Sequence, residues 1–171
     1  MRDFRSLCVV DANVLIDLHV GQLLANVSYL PCRVLVPDVV AAELIEPDGT
    51  RLAELGLEVH ELSGDQVIEV MRLRAKYNQV STNDLFALVL SKALVATLLT
   101  GDRHLRQVAD QEGVAVHGTL WVLDELVRMQ IINPTRAIAA LKRMLGQRRR
   151  LPLAQCEQRF RLWEEEDGPE K

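Results

Sequence analysis

A chain of 171 residues lies within the range of one domain and is long enough to bury a substantial core. Its hydrophobic residues, 49%, and charged residues, 26%, are ordinary for a globular protein. A net charge of −4 excludes binding to nucleic acid by bulk positive charge, and leaves room for local basic patches and for an acidic metal site. The apolar runs stop short of membrane-spanning length: the longest, 85–99, is split by Ser91-Lys92, so no membrane span is expected. "MRDFRSLCVVD" runs straight into a strand-like stretch with no small-residue cleavage site, and no signal peptide is read there. Cys8, Cys32 and Cys156 are too few and too scattered for a disulfide framework. The expectation is reduced thiols in a cytoplasmic protein.

In chain order, "RSLCVV" (5–10) is β-branched and apolar, as a buried strand is. Residues 12–27 carry helical spacing at Val14, Leu15, Leu18, Leu23 and Leu24, with Gly21 as a break. "RVLVP" (33–37) is a second strand, and Asp38 is read as the N-cap of a helix over 38–45. A turn at 46–50 leads to a strand at 57–62 and an amphipathic helix at 64–78. Then come an almost wholly apolar helix (81–94), a strand (95–100), a helix that ends at Gly113 and a strand (114–118). An amphipathic helix at 119–130 follows. Past Asn133-Pro134 lie two more helices, and 164–171 is expected to fray.

Strands that alternate with helices predict a parallel sheet covered on both faces, a three-layer α/β/α sandwich of four or five strands. Residues 1–133, which hold all the expected strands, form the core unit in this reading. Residues 134–171 form a helical extension packed on it.

With right-handed crossovers, strand ends and the helix starts that follow them share one sheet edge, where open α/β folds hold ligands. Asp11 follows the first strand and Asp102 the fourth. Asp84 starts the helix that leads into the fourth strand. The apolar stretch between Asp84 and Asp102 goes out about 16 Å as helix and returns a similar distance as strand, which brings the two acids to one level. Glu43 falls between Val39 and Val40 on the apolar stripe of its helix, where a carboxylate needs a partner or a cation. Glu46, at the stripe's edge, is a second candidate. Each acid also has a simpler role. Asp11 and Asp102 can cap helices, and "STND" fits a capping box with Ser81 as cap. Capping alone does not account for three carboxylates at one edge and a fourth on a buried stripe. If they converge, repulsion raises their pKa values or calls for a cation, and an all-oxygen set suits Mg²⁺ or Mn²⁺.

The stretches "VVDANVLIDL", "VPDVVAAELI", "NDLFALVLSKALVATLLTGDRHLRQVA" and "VAVHGTLWVLDEL" together resemble the PIN domain, over about residues 5–130, and within it the toxin ribonucleases of bacterial and archaeal toxin–antitoxin pairs. The resemblance implies a Mg²⁺- or Mn²⁺-dependent endoribonuclease that leaves a 5′-phosphate and a 3′-hydroxyl. It also implies a homodimer and a cognate antitoxin that blocks the site. Carried over by position, Asp11, Glu43, Asp84 and Asp102 become the acidic quartet, with Asn13 and Thr100 in support. "RHL" comes directly after Asp102, with no further acid there to support it, so the resemblance does not supply a second metal site.

Arg103 and Arg106, beside the last acid, are candidates for substrate contacts, as is the run Arg148-Arg149-Arg150, for which plain solvation is the more frequent role. Trp121 and Trp163 are read as packing residues. His19, His60, His104 and His117 stand singly, without ligand spacing. Two other readings compete. One is a PIN-like module kept for protein binding. The other is a metal-dependent phosphatase, which needs an acid where Asn13 stands.

Overall fold

The computed structural model describes residues 6–166 and 168. Five parallel strands, β1 (Ser6–Val10), β2 (Cys32–Pro37), β3 (Glu58–His60), β4 (Thr97–Leu99) and β5 (Val116–His117), lie in the order β3-β2-β1-β4-β5. The helices are α1 (Ala12–Val20), α2 (Asp38–Glu43), α3 (Gly64–Lys76), α4 (Thr82–Leu94), α5 (Arg103–Gln111), α6 (Thr119–Arg128), α7 (Pro134–Gly146) and α8 (Leu153–Glu166).

The pleat of each strand sends alternate side chains to opposite faces, and this divides the interior into two cores. Cys8 and Val10 of β1, with Val34, Val36 and Leu99, join Leu15 and Leu18 of α1, Leu123 of α6 and Leu141 of α7. Val9, Leu35 and Leu98 face the other way, onto Leu73 of α3, Leu88 of α4 and Leu105 of α5. A sheet buried on both sides explains why the strands read as continuous apolar runs. Cys156 and Trp163 of α8 lie in the first core with α1 and α7, so the C-terminal helices pack on the sheet layer. No described helix is long and apolar enough to cross a membrane.

The chain leaves β1 toward β2 on one side and later returns to β4 on the other. The strand order therefore reverses between β1 and β4, which in open α/β sheets opens a ligand crevice at the strands' C-terminal ends. Val10 pairs with Leu99, and the Asp11 N–H donates to the Leu99 carbonyl at 3.1 Å, so Asp11 and Thr100 emerge side by side at that crevice.

Several expectations are corrected in detail. The helical pattern over 12–27 breaks at Gly21, and its second part, Leu24–Tyr29, winds as a 3-10 helix. Asp38 is the first residue of α2 rather than its cap; Pro37 takes the cap position without a side-chain bond. A second 3-10 helix, Gly49–Leu55, occupies ground read partly as a turn. The last three strands are shorter than their apolar runs, because pairing with a neighbour strand covers only Glu58–His60, Thr97–Leu99 and Val116–His117. Of the tail expected to fray, 164–166 is helical, while residues 167 and 169–171 lie outside the described residues, as does position 5 at the start of the first expected strand.

Candidate active site

Asp11 is fully buried at the end of β1, where it caps α1. Its Oδ1 accepts from the Val14 N–H at 2.9 Å and its Oδ2 from the Thr100 hydroxyl in a short hydrogen bond. Thr100 is itself buried, and its Oγ1 accepts from the Asp102 N–H at 3.1 Å. One hydroxyl thus ties the ends of β1 and β4 together. Asp102 caps α5, with Oδ1 accepting from Leu105 N–H at 2.8 Å, while its Oδ2 has no donor among the described residues. Across the crevice, Ser81 caps α4 by accepting from Asp84 N–H at 3.1 Å. The reciprocal half of a capping box, from the Ser81 N–H to Asp84, is not formed among the described residues. The Asp84 carboxylate is therefore not committed to the cap.

The capping bonds coexist with repulsion between the acids. Burial raises the Asp11 carboxyl to about 7, with added repulsion from Asp84 and Asp17; the Thr100 and Val14 bonds oppose the rise without cancelling it. Burial also raises Asp84, and the Asp102 and Glu43 charges push it further, against the Ser81 hydroxyl. Asp84 is thus the hub: its charge acts on Asp11, and the Asp102 and Glu43 charges act on it. Among the described residues no three acidic, histidine or cysteine side chains are drawn into a closed ligand cluster; the interactions run in pairs.

Glu43 reaches this edge by a different route from the one expected. It is exposed, the last residue of a six-residue α2, rather than part of a buried stripe. The helix is too short for its stripe to extend that far. What holds Glu43 is Asn83, the residue before Asp84, whose Nδ2 donates to Oε2 at 2.6 Å. The position of α2 depends in turn on Gly49. A Cβ built there would lie 1.8 Å from the Ala41 carbonyl oxygen, so any side chain would push α2 aside. Glu46 is exposed and takes no part among the described residues.

Of the expected supporting residues, Thr100 makes the contacts just given. The Asn13 side chain does not hold Asp11; its carbonyl accepts from Arg149 at 3.4 Å. Arg106 donates to the Thr100 carbonyl at 2.9 Å, which commits it to the β4 end, while Arg103 is exposed. The sequence reading missed Asp17. This residue is buried in α1, one helical turn from Val14 and next to Leu18, and it accepts from Thr119 Oγ1 at 2.7 Å and from Arg149 Nε at 2.5 Å. The buried-stripe test that misplaced Glu43 identifies Asp17 when applied to α1. Asn83 had no signal beyond its place beside Asp84.

A family model described as a PIN domain matches residues 7–165 of the chain. The chain belongs to the PIN-domain family. PIN domains are typically nucleases, so the crevice between β1 and β4 lies on a nuclease fold, and members of the family generally use a divalent metal. No curated protein matches the chain. The donors at this PIN-domain edge fit such an ion. They are all oxygens, as a hard divalent cation prefers, and a fully buried carboxyl that feels a second carboxylate, with no cationic side chain bonded to it among the described residues, is stabilised by an external one.

Proposed function

We propose that the protein is a divalent-metal-dependent endoribonuclease, the toxin of a toxin–antitoxin pair, with Asp11, Glu43, Asp84 and Asp102 as the residues that hold Mg²⁺ or Mn²⁺. The observation that carries this reading is Asp11: fully buried, raised to about 7 and repelled by the Asp84 charge, it has two neutral donors and, among the described residues, no cationic side chain on its carboxylate. A bound divalent cation supplies positive charge against a scissile phosphate and acidifies an attacking water. The chain's own part is positional. Thr100 fixes the rotamer of Asp11 and the backbone before Asp102. Asn83 holds Glu43 within reach of Asp84's field. The α5 cap uses Oδ1 of Asp102 and leaves its Oδ2, without a donor among the described residues, available to ligate.

RNA as substrate, cleavage to a 5′-phosphate and a 3′-hydroxyl, a homodimer, an antitoxin partner and a cytoplasmic site of action are supported by the likeness of "VVDANVLIDL" and "LLTGDRHL" to the toxin ribonucleases. In the same reading residues 1–133 are the catalytic unit and 134–171 its extension. The test is incubation of the protein with single-stranded and structured RNA in Mg²⁺, Mn²⁺ or EDTA, beside an Asp84→Asn variant. Metal-dependent cleavage that disappears in EDTA and in the variant is expected; cleavage that persists in either sinks the proposal. A reading frame for a small DNA-binding protein next to the gene is expected from the toxin assignment.

A further inference from the structure

Two depressions share a wall beside the acids. One, of about 520 Å³, opens at Asn13 and Asp102. The other, of about 930 Å³, runs on to His117 and Trp121. Gly101, Arg103, Arg149 and Arg150 line both, so together they make one groove that starts at an acid of the crevice.

Charge along this groove is only partly answered. Arg149 holds Asp17 and Arg159 holds Asp124 in it, as Arg72 and Arg128 hold carboxylates elsewhere. Arg103, Arg148 and Arg150 are exposed and pair with nothing among the described residues. The connector between α7 and α8 is built to present Arg148 and Arg150. Arg148 adopts a left-handed conformation, φ 59°, where a helix end ordinarily favours glycine. The Arg149 N–H then closes the turn on the Met144 carbonyl at 3.0 Å, and its guanidinium latches onto Asp17. The latch pins the middle arginine and leaves its two neighbours facing the groove.

At the far end, the His117 ring stacks on Trp121 with centroids 4.5 Å apart and planes 5° from parallel. His117 is exposed and Trp121 half-buried. Burial and the nearby Arg106 hold the imidazole below its usual pKa, against Glu125, so the ring is an uncharged flat surface at neutral pH.

We propose that this groove seats an unpaired nucleic-acid strand, with Arg103, Arg148 and Arg150 on its phosphates and the His117–Trp121 stack under one of its bases. The inference rests on the nuclease reading and extends it: the C-terminal extension supplies one wall of the substrate site. Phosphates answer bare guanidiniums, and an aromatic face receives a base only when the base is splayed out of a helix, which excludes an intact duplex.

The test measures binding by the full chain with Ca²⁺ in place of Mg²⁺, to a fluorescent oligoadenylate, to an abasic strand of the same length and to an RNA duplex, with each strand checked for integrity afterwards. The wild type is expected to prefer the oligoadenylate. Arg148→Ala with Arg150→Ala weakens all strands and lowers the salt dependence by about 0.7 for each phosphate no longer neutralised. His117→Ala weakens oligoadenylate by about 5- to 100-fold and leaves the abasic strand unchanged. Both variants change exposed side chains, so their melting curves match the wild type's. Equal effects of His117→Ala on the two strands, duplex binding as tight as single-strand binding, or no binding at all overturns the groove. Mg²⁺-dependent cleavage is recorded alongside. Cleavage by a wild type whose binding ignores these variants removes the groove and keeps the nuclease. Binding through the groove without cleavage does the reverse.

Discussion

The start of α1 buries two aspartates and treats them in opposite ways. Asp17 receives a guanidinium from Arg149 and a hydroxyl from Thr119, so its charge is answered inside the protein. Asp11, six residues earlier and more deeply buried, receives a hydroxyl and one backbone N–H, and it faces another acid. Burial alone therefore does not mark a functional carboxylate. The mark is burial without an internal counter-charge, at the edge where the strand order reverses. Asp17 acts as a structural clamp for the α7–α8 connector. Asp11 has chemistry left to do.

The contrast can be broken first at Asp11. Asp11→Asn keeps the shape and an acceptor for Val14 and is expected to reduce RNA cleavage by about 10²–10³-fold, in the range of losses when a preorganised electrostatic group is removed. Its thermal midpoint should equal or exceed that of the wild type, because a buried charge with no partner has been removed. The opposite pattern is expected at the clamp. Arg149→Leu leaves Asp17 buried and unpaired, and should cost about 3 kcal/mol, read as a fall in the melting midpoint of about 6–12 °C.

The third prediction concerns pH. The folded Asp11 carboxyl titrates near 7, above its ordinary value of 3.8. Between about pH 4 and pH 7 the folded protein holds a proton that the unfolded chain has released. In metal-free protein, stability should therefore fall as pH rises through that window, by at most about 1.4 kcal/mol per unit from this group. Urea unfolding at pH 5 and pH 7 measures the slope, and Asp11→Asn should flatten it. A smaller effect is expected at the exposed end of the site. Asn83→Ala frees Glu43 and should lower cleavage by about 10-fold, the low end of the loss when a partner that orients a metal ligand is removed. Gly49→Ala, which displaces α2, should lower it in the same way without touching any acid.

The sequence showed most clearly what depends on local periodicity. Five apolar runs between helical patterns were enough for a parallel three-layer sheet, and the out-and-back geometry of 84–102 placed Asp84 and Asp102 at one edge, where their charges now act on each other. Residues that depend on neighbours distant in the chain were not legible. Asn83 meets Glu43 across 40 positions and Arg149 meets Asp17 across 132, and nothing local announces either pair. Glu43 failed for a further reason: the stripe argument assumes a helix long enough to have two faces, and α2 ends at Glu43 itself. His117 and Trp121 follow a similar rule. Each is ordinary in sequence, and their stack exists only because β5 feeds directly into α6 at the groove.

The most direct measurement is calorimetric titration of Mn²⁺ into the metal-free protein at pH 7, in two buffers of different ionisation enthalpy. An acidic site that includes a carboxyl titrating near 7 should bind the ion and release about half a proton for each ion bound, and Asp11→Asn should abolish the release. No binding, or binding with no proton released and no difference in the variant, would contradict the assignment of Asp11 and its neighbours as the metal-holding edge.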